Sequence, residues 1–191
     1  MHVAWIRKEQ IIVKYVAFFR NVNLGRPKSP TKTQLESAFK DAGAESARSF
    51  QTNGTVVFSA DKERTALNLV AQACKTLESA CGLEEPAFIC GLQHLAKLVA
   101  ADPFAGINVE NVYQCCASFM HPNALVKVKT TLRSPRNDVE VIHVTSKTVL
   151  SLVHKVGAST GSPTAFLEKT FSVPVTTRNW STILRLVKKF A

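Results

Sequence analysis

The chain lacks the marks that most often announce a chemistry. Its five cysteines, Cys74, Cys81, Cys90, Cys115 and Cys116, are odd in number and contain no CxxC pair, which argues against a disulfide framework and against thiol-rich zinc sites. The five histidines, His2, His94, His121, His143 and His154, have none of the paired spacings of zinc ligands. Cys90 and His94 stand four apart, but at a strand end and a helix start, where they do not point together. There is no GxSxG elbow, and the Gly/Ser-rich stretch GASTGSP at 157–163 lacks the GK[ST] ending of a phosphate loop. No motif calls for a cofactor or a metal. Apolar runs fall well short of the roughly 18 residues of a membrane span. Arg7, Lys8 and Glu9 interrupt Met1 to Ile12, so no signal-peptide core is expected there. A reduced cytoplasm, with no membrane partner, fits this pattern.

Acidic residues are scarce in one half only. Residues 1–110 hold 13 basic and 11 acidic side chains, a net of +2, whereas 111–191 hold 11 and 3, a net of +8. Such asymmetry attracts an anionic partner, nucleic acid being the obvious macromolecule, or serves only solubility. At 191 residues the chain is long enough for one large domain or two small ones.

Residues 11–19, IIVKYVAFF, are β-branched and aromatic and predict a strand. A loop from Arg20 to Pro30 follows, then a helix capped by Thr31 or Thr33 with Leu35, Ala38, Phe39 and Ala42 inside. Strands are expected at Ala47–Gln51 and Thr55–Ser59 around an Asn53-Gly54 hairpin turn. A helix opened by Asp61 should bury Leu67, Val70, Ala71, Cys74 and Leu77, and Pro86–Cys90 reads as a strand. That order, β-α-β-β-α-β, is the ferredoxin-like or split βαβ plait. After a helix at Leu92–Ala100 the order repeats: strand Val112–Met120, short helix Pro122–Val128, strands Val139–Val144 and Thr148–Val153, helix Pro163–Thr170 capped by Ser162, and a brief strand Val173–Thr176. The expected fold is α+β: tandem ferredoxin-like plaits over 1–90 and 111–191, with a connecting helix and linker over 91–110 and a C-terminal helix.

The last helix should open at a polar turn, Thr177-Arg178-Asn179, and bury Trp180, Ile183, Leu184 and Val187. Strands IIVKYVAFF and VYQCCASFM are apolar on both faces, so something must cover the second face of each sheet. Either the two sheets, or the terminal helix and one sheet, shield each other, or a homodimer forms through an exposed sheet. Cys115 and Cys116 read as small buried residues on opposite faces of their strand. The third strands, TVVFS and TVLSLV, lack the aromatic and Gly pattern of base-stacking RNA-recognition domains. Polar candidates for a site are Arg20, Asn21, Asn23, Asn53, Thr177, Arg178 and Asn179. Arginine offers a bidentate fork and asparagine both donates and accepts, although the same residues serve turns and caps.

Three phrases, YVAFFRNVNLGR at 15–26, ADPF at 101–104 and AFLEKTFSVPVTTRNWSTI at 165–183, resemble those of the domain of unknown function 1697 family, bacterial proteins with no assigned activity. The resemblance implies tandem ferredoxin-like plaits and no known reaction. The chain departs from the family pattern at QTNGT (51–55), Asn21, Arg26, Cys90 and STGSP (159–163). The motif positions that persist, Arg20, Asn23, Gly25, Arg178, Asn179 and Trp180, are where a ligand site is expected. Three functions compete: a non-catalytic binding module for an anionic or nucleotide-like ligand or nucleic acid, an enzyme using Arg20 and Arg178 as clamps on a small anionic substrate, and a structural or oligomeric protein whose motif locks the last helix.

Overall fold

The computed structural model describes residues 12–191 apart from positions 109, 129 and 131. Residues 1–11, on which the non-secretory reading of Met1 to Ile12 and the Ile11 start of the first strand rest, lie outside them. The elements are β1 (Val13–Phe19), α1 (Lys32–Asp41), β2 (Ala47–Phe50), β3 (Thr55–Ala60), α2 (Glu63–Cys81), β4 (Ala87–Gly91), α3 (Leu92–Ala100), β5 (Val112–Met120), α4 (Pro122–Leu125), β6 (Val139–Val144), β7 (Val149–Val156), β8 (Ser159–Thr160), α5 (Pro163–Phe171), β9 (Val175–Asn179) and α6 (Trp180–Phe190). The result is a mixed α+β protein with two antiparallel sheets and, among the described residues, six helices. One sheet runs β2-β3-β1-β4; the other runs β6-β7-β5-β9, with β8 paired to β7. None of the described helices is long and apolar enough to cross a membrane.

Local chemistry explains most of the boundaries. Thr31 and Gln34 form a reciprocal capping box on α1, each side chain accepting from the other's backbone N–H at 3.2 and 2.8 Å. Ser162 caps α5, with Pro163 in the first turn. Gly82, at φ +70°, closes α2 by donating to the Glu78 carbonyl.

Several expectations are corrected. Thr177, Arg178 and Asn179 are not a turn but the second half of β9, which passes straight into α6; Asn179 makes no side-chain cap. The strand's β-branched run simply continues through Arg178, because pairing to β5 supplies the backbone bonds a turn would forgo. The connection between β2 and β3 is a four-residue loop, 51–54, with positive φ at Gln51 and Gly54 rather than at Asn53. Asp61 precedes α2, whose cap position is Lys62 and has no side-chain bond. Helix α2 is rotated from the expected stripe: it buries Ala66, Leu69, Val70, Ala73 and Leu77, while Leu67 is 53% exposed. Two alanines on the inner face let α2 approach closely, which the sequence, carrying two overlapping apolar stripes, does not rank. Likewise α6 buries Thr182 and Leu186, and leaves Leu184 exposed.

One face of the first sheet packs on α1 and α2, where Phe19, Phe39 and Phe58 meet Leu35 and Leu77. Its other face shares a core with α3, α6 and the second sheet, through Val16, Phe18, Leu95, Ala117, Phe119, Trp180 and Ile183. Both faces of β1 are thus covered within one chain. Phe18 and Phe119 stack across the seam at 4.0 Å between ring centroids. Two such buried rings contribute roughly 1.5–3 kcal/mol each, so the two sheets are held as neighbours by apolar burial before any polar contact is made.

Candidate functional site

The polar contacts across that seam gather at one end. Strand β1 ends at Phe19, and Asn21 just beyond takes a left-handed backbone, φ 51°, turning the chain away. The 51–54 loop arrives beside it: Phe19 N–H donates to the Gly54 carbonyl at 2.8 Å. From the second sheet, β9 brings Thr176, Thr177 and Arg178, and α5 brings Thr164 and Glu168. Together Arg20, Asn21, Asn53, Thr164, Thr176, Thr177 and Arg178 border a cleft of about 170 Å³.

Arg178 occupies its floor and is only 8% exposed. Its five N–H groups are all engaged. Nε donates to Thr55 Oγ1 at 3.3 Å, Nη1 to Thr176 Oγ1 at 2.7 Å and the Thr177 carbonyl at 2.9 Å, and Nη2 to the Phe19 carbonyl at 2.8 Å and the Asn53 carbonyl at 2.7 Å. Three of these acceptors belong to the first sheet and its loop. The guanidinium also lies over the Phe18 ring, 5.6 Å from its centroid. No acceptor is a carboxylate, and burial pushes the Arg178 pKa down to about 10; the group remains charged at neutral pH, its buried charge offset by oriented dipoles. Thr177 extends the network within the second sheet, its hydroxyl paired with Ser118 and Thr164 at 2.8 Å each.

Arg20 stands at the rim between two acids. Nε and Nη2 donate to the two Glu168 oxygens at 2.6 and 3.2 Å, and Nη1 to Glu85 at 2.6 Å. These bonds, Glu168 foremost, raise the Arg20 pKa, and the Arg20 bond holds the Glu168 carboxyl below its usual range. Glu168 also accepts from Val175 N–H at 3.0 Å, and Asn21 donates to Glu85 at 2.9 Å. An arginine with two carboxylates has little charge left for an external anion.

The other candidates from the sequence are placed differently. Asn23 and Gly25 shape the loop beside the cleft without lining it: the Asn23 carbonyl accepts from Arg26 N–H at 3.1 Å, and Gly25 donates to the Pro30 carbonyl at 3.0 Å. Asn179 is exposed. Trp180 is buried in the seam core, 5.1 Å from the Phe104 ring. Sequence reasoning missed Glu85, Glu168, Thr55, Thr164 and Thr176. The available signal for two of them was the i, i+4 spacing of Thr164 and Glu168, which puts both on one face of α5.

Thiol chemistry has no foothold at this cleft. Burial pushes the thiols of Cys90 and Cys116 up to about 12, far from the thiolate form a nucleophile needs. Among the described residues, no three His, Cys, Asp or Glu side chains form a group able to hold a metal.

No match is found among curated proteins. Among solved structures, that of the conserved bacterial protein SP0830 from Streptococcus pneumoniae is similar to this chain, with a TM-score of 0.65 at 14% identity, covering 94% of this chain and 98% of that one. A likeness at that identity speaks to the fold alone. The model of the family described as Protein of unknown function (DUF1697) matches residues 12–150, and the chain belongs to that family.

Proposed function

We propose that this protein is a non-catalytic binding module for an anionic ligand, nucleotide-like or nucleic acid, built as tandem ferredoxin-like plaits over 1–90 and 111–191. The plait assignment is supported by the matching sheet orders, β2-β3-β1-β4 and β6-β7-β5-β9, each with its first strand between its third and its last. In this reading Arg20 and Arg178 align the two plaits, Asn23 and Gly25 shape the adjoining loop, and Asn179 and Trp180 set the start of α6. The ligand is drawn by the positive field to which the basic half contributes most, away from these two engaged arginines.

One observation carries the reading. The three acids of the second half are all paired inside the protein, Glu168 with Arg20, Glu140 with Arg133 and Asp138 with Arg136. Lys127, Lys155, Lys169, Arg185, Lys188 and Lys189 have no carboxylate partner among the described residues. Among the described residues no carboxylate stands within 4.0 Å of these cations, so their surplus makes a positive field. Catalysis is disfavoured for the complementary reason: at the cleft, every charged group is already bonded, and none is poised as base or nucleophile.

The test is thermal unfolding of the protein against nucleotides, phosphorylated metabolites and short DNA and RNA, at low and moderate salt. A midpoint that rises with ligand concentration and falls back with salt is the expected result. Silence across the panel at low salt would overturn the proposal.

A further inference from the structure

The register of the first sheet puts two cations from different strands on one face. Arg48 of β2 pairs with Val57 of β3, Val57 pairs with Val16 of β1, and Lys14 lies two residues from Val16. Side chains in such a row share a face. It is the face that α6 crosses, and the last turn of that helix brings Lys189 and Phe190 opposite them. The three cations and Phe190, with Ser46 and Val57, border a cleft of about 270 Å³ between the first sheet and α6.

Each cation is held without an acid. Lys14 Nζ donates to the Phe190 carbonyl at 2.6 Å, one of the carbonyls left free at a helix end. Lys189 Nζ lies over two aromatic rings, 5.9 Å from the Phe50 centroid and 5.3 Å from that of Phe190. Arg48 is exposed on its strand and its guanidinium makes no hydrogen bond to any described residue. Among the described residues no carboxylate comes within 4.0 Å of any of the three. Contrast Arg20, where two carboxylates consume the charge. Three like charges around one small space repel one another, and the ligand that relieves this best carries more than one negative charge on a compact group. A phosphate does so, with oxygens that match the guanidinium fork and leave room for the two ammonium groups.

We propose that the Lys14–Arg48–Lys189 cleft is the anion site of this protein and binds a phosphate group. This rests on the anion-binding reading above and gives it a location. The phosphate can belong to a small monoester or to the backbone of a single-stranded nucleic acid, and the cleft's chemistry is the same for both.

The experiment is titration calorimetry at low salt with inorganic phosphate, adenosine monophosphate and a short single-stranded RNA as separate probes. The proteins are wild type, Arg48→Ala, Lys189→Ala and the control Lys75→Ala, an exposed lysine of the balanced half on α2, on the opposite side of the first sheet from the cleft. Loss of one charge-assisted contact should weaken binding roughly tenfold or more in each cleft variant, with the control unchanged. Both cleft side chains are exposed and, among the described residues, unpaired with acids, so the variants should fold, which their unliganded unfolding midpoints check. Affinity for adenosine monophosphate lost in the cleft variants supports a small monoester; affinity for RNA alone, lost in the same variants, supports a polymer backbone at the same site. If wild type binds and both variants bind equally well, this site is wrong while the anion-binding reading stands. If wild type binds none of the probes, both fall.

Discussion

Arg178→Ala would test whether the motif arginine is a lock between the sheets. The guanidinium donates five hydrogen bonds, three of them to Thr55, Phe19 and Asn53 on the first sheet's side. At about 1 kcal/mol net for each bond, their loss costs about 5 kcal/mol. Water entering the emptied space can reach the outer carbonyls of Thr177 and Asn53, which are only partly buried, and should return roughly 1–2 kcal/mol. The expected loss is therefore about 3–4 kcal/mol, or a fall in midpoint of roughly 6–16 °C for a chain of this length. Arg178→Lys keeps the charge but offers three donors from one point, so it cannot span acceptors on both sheets and should cost about half as much. Urea unfolding followed by circular dichroism and tryptophan fluorescence measures both. A loss below about 1 kcal/mol for Arg178→Ala would refute the lock. So would an unchanged stability accompanied by lost ligand binding, which would return Arg178 to the role of a ligand contact.

Two further tests address neighbouring features. At Gly54 a Cβ would stand 2.6 Å from Val22 Cβ and 3.0 Å from Phe19 Cβ, at φ +66°, so Gly54→Ala should cost about 2–4 kcal/mol through steric displacement added to backbone strain. Gly25→Ala, at φ +80° with nothing within 4 Å of the added carbon, should cost only about 1 kcal/mol, and equal denaturation midpoints for the two variants would show that the clash is not real. Glu168 has a depressed pKa in the folded state because Arg20 bonds its charged form. Its contribution is therefore fully present above the unfolded value of about 4.3 and is lost as pH falls through the lower folded value. Glu168→Gln should be less stable than wild type at pH 7 and should show a flatter decline of midpoint below about pH 4.5; an acid decline as steep as wild type's would remove the Arg20–Glu168 pair from the account.

The strands and helices were legible wherever a local period or a cap marked them. Thr31 with Gln34, Ser162 with Pro163 and the Gly82 stop all act within a few residues of themselves, so spacing along the chain is enough to find them. The misplacements have a common source. The polar residues Thr177 to Asn179 read as a turn after a strand ending at Thr176, yet pairing with β5 across the sheet holds them as strand. The inner face of α2 is the one that joins α1 and the first sheet in a shared core, and which stripe that is depends on partners no single helix carries in its own sequence.

The same division runs through the sites. The sequence by itself determined that Arg20 and Arg178 stand out as motif positions, that the acids are concentrated in the first half, and that no catalytic or metal signature is present along the chain. Only the tertiary structure decided what those arginines touch: Glu85 and Glu168 on Arg20, and five neutral oxygens on Arg178, drawn from segments as many as 159 residues away. It also decided where unpaired charge collects. Lys14 and Arg48 belong to the half whose net charge is nearly balanced, and Lys189 to the other end of the chain, so no window of sequence contains the cleft. Periodicity is a property of neighbours along the backbone; hydrogen bonds and fields depend on distance in space, and folding alone sets that distance.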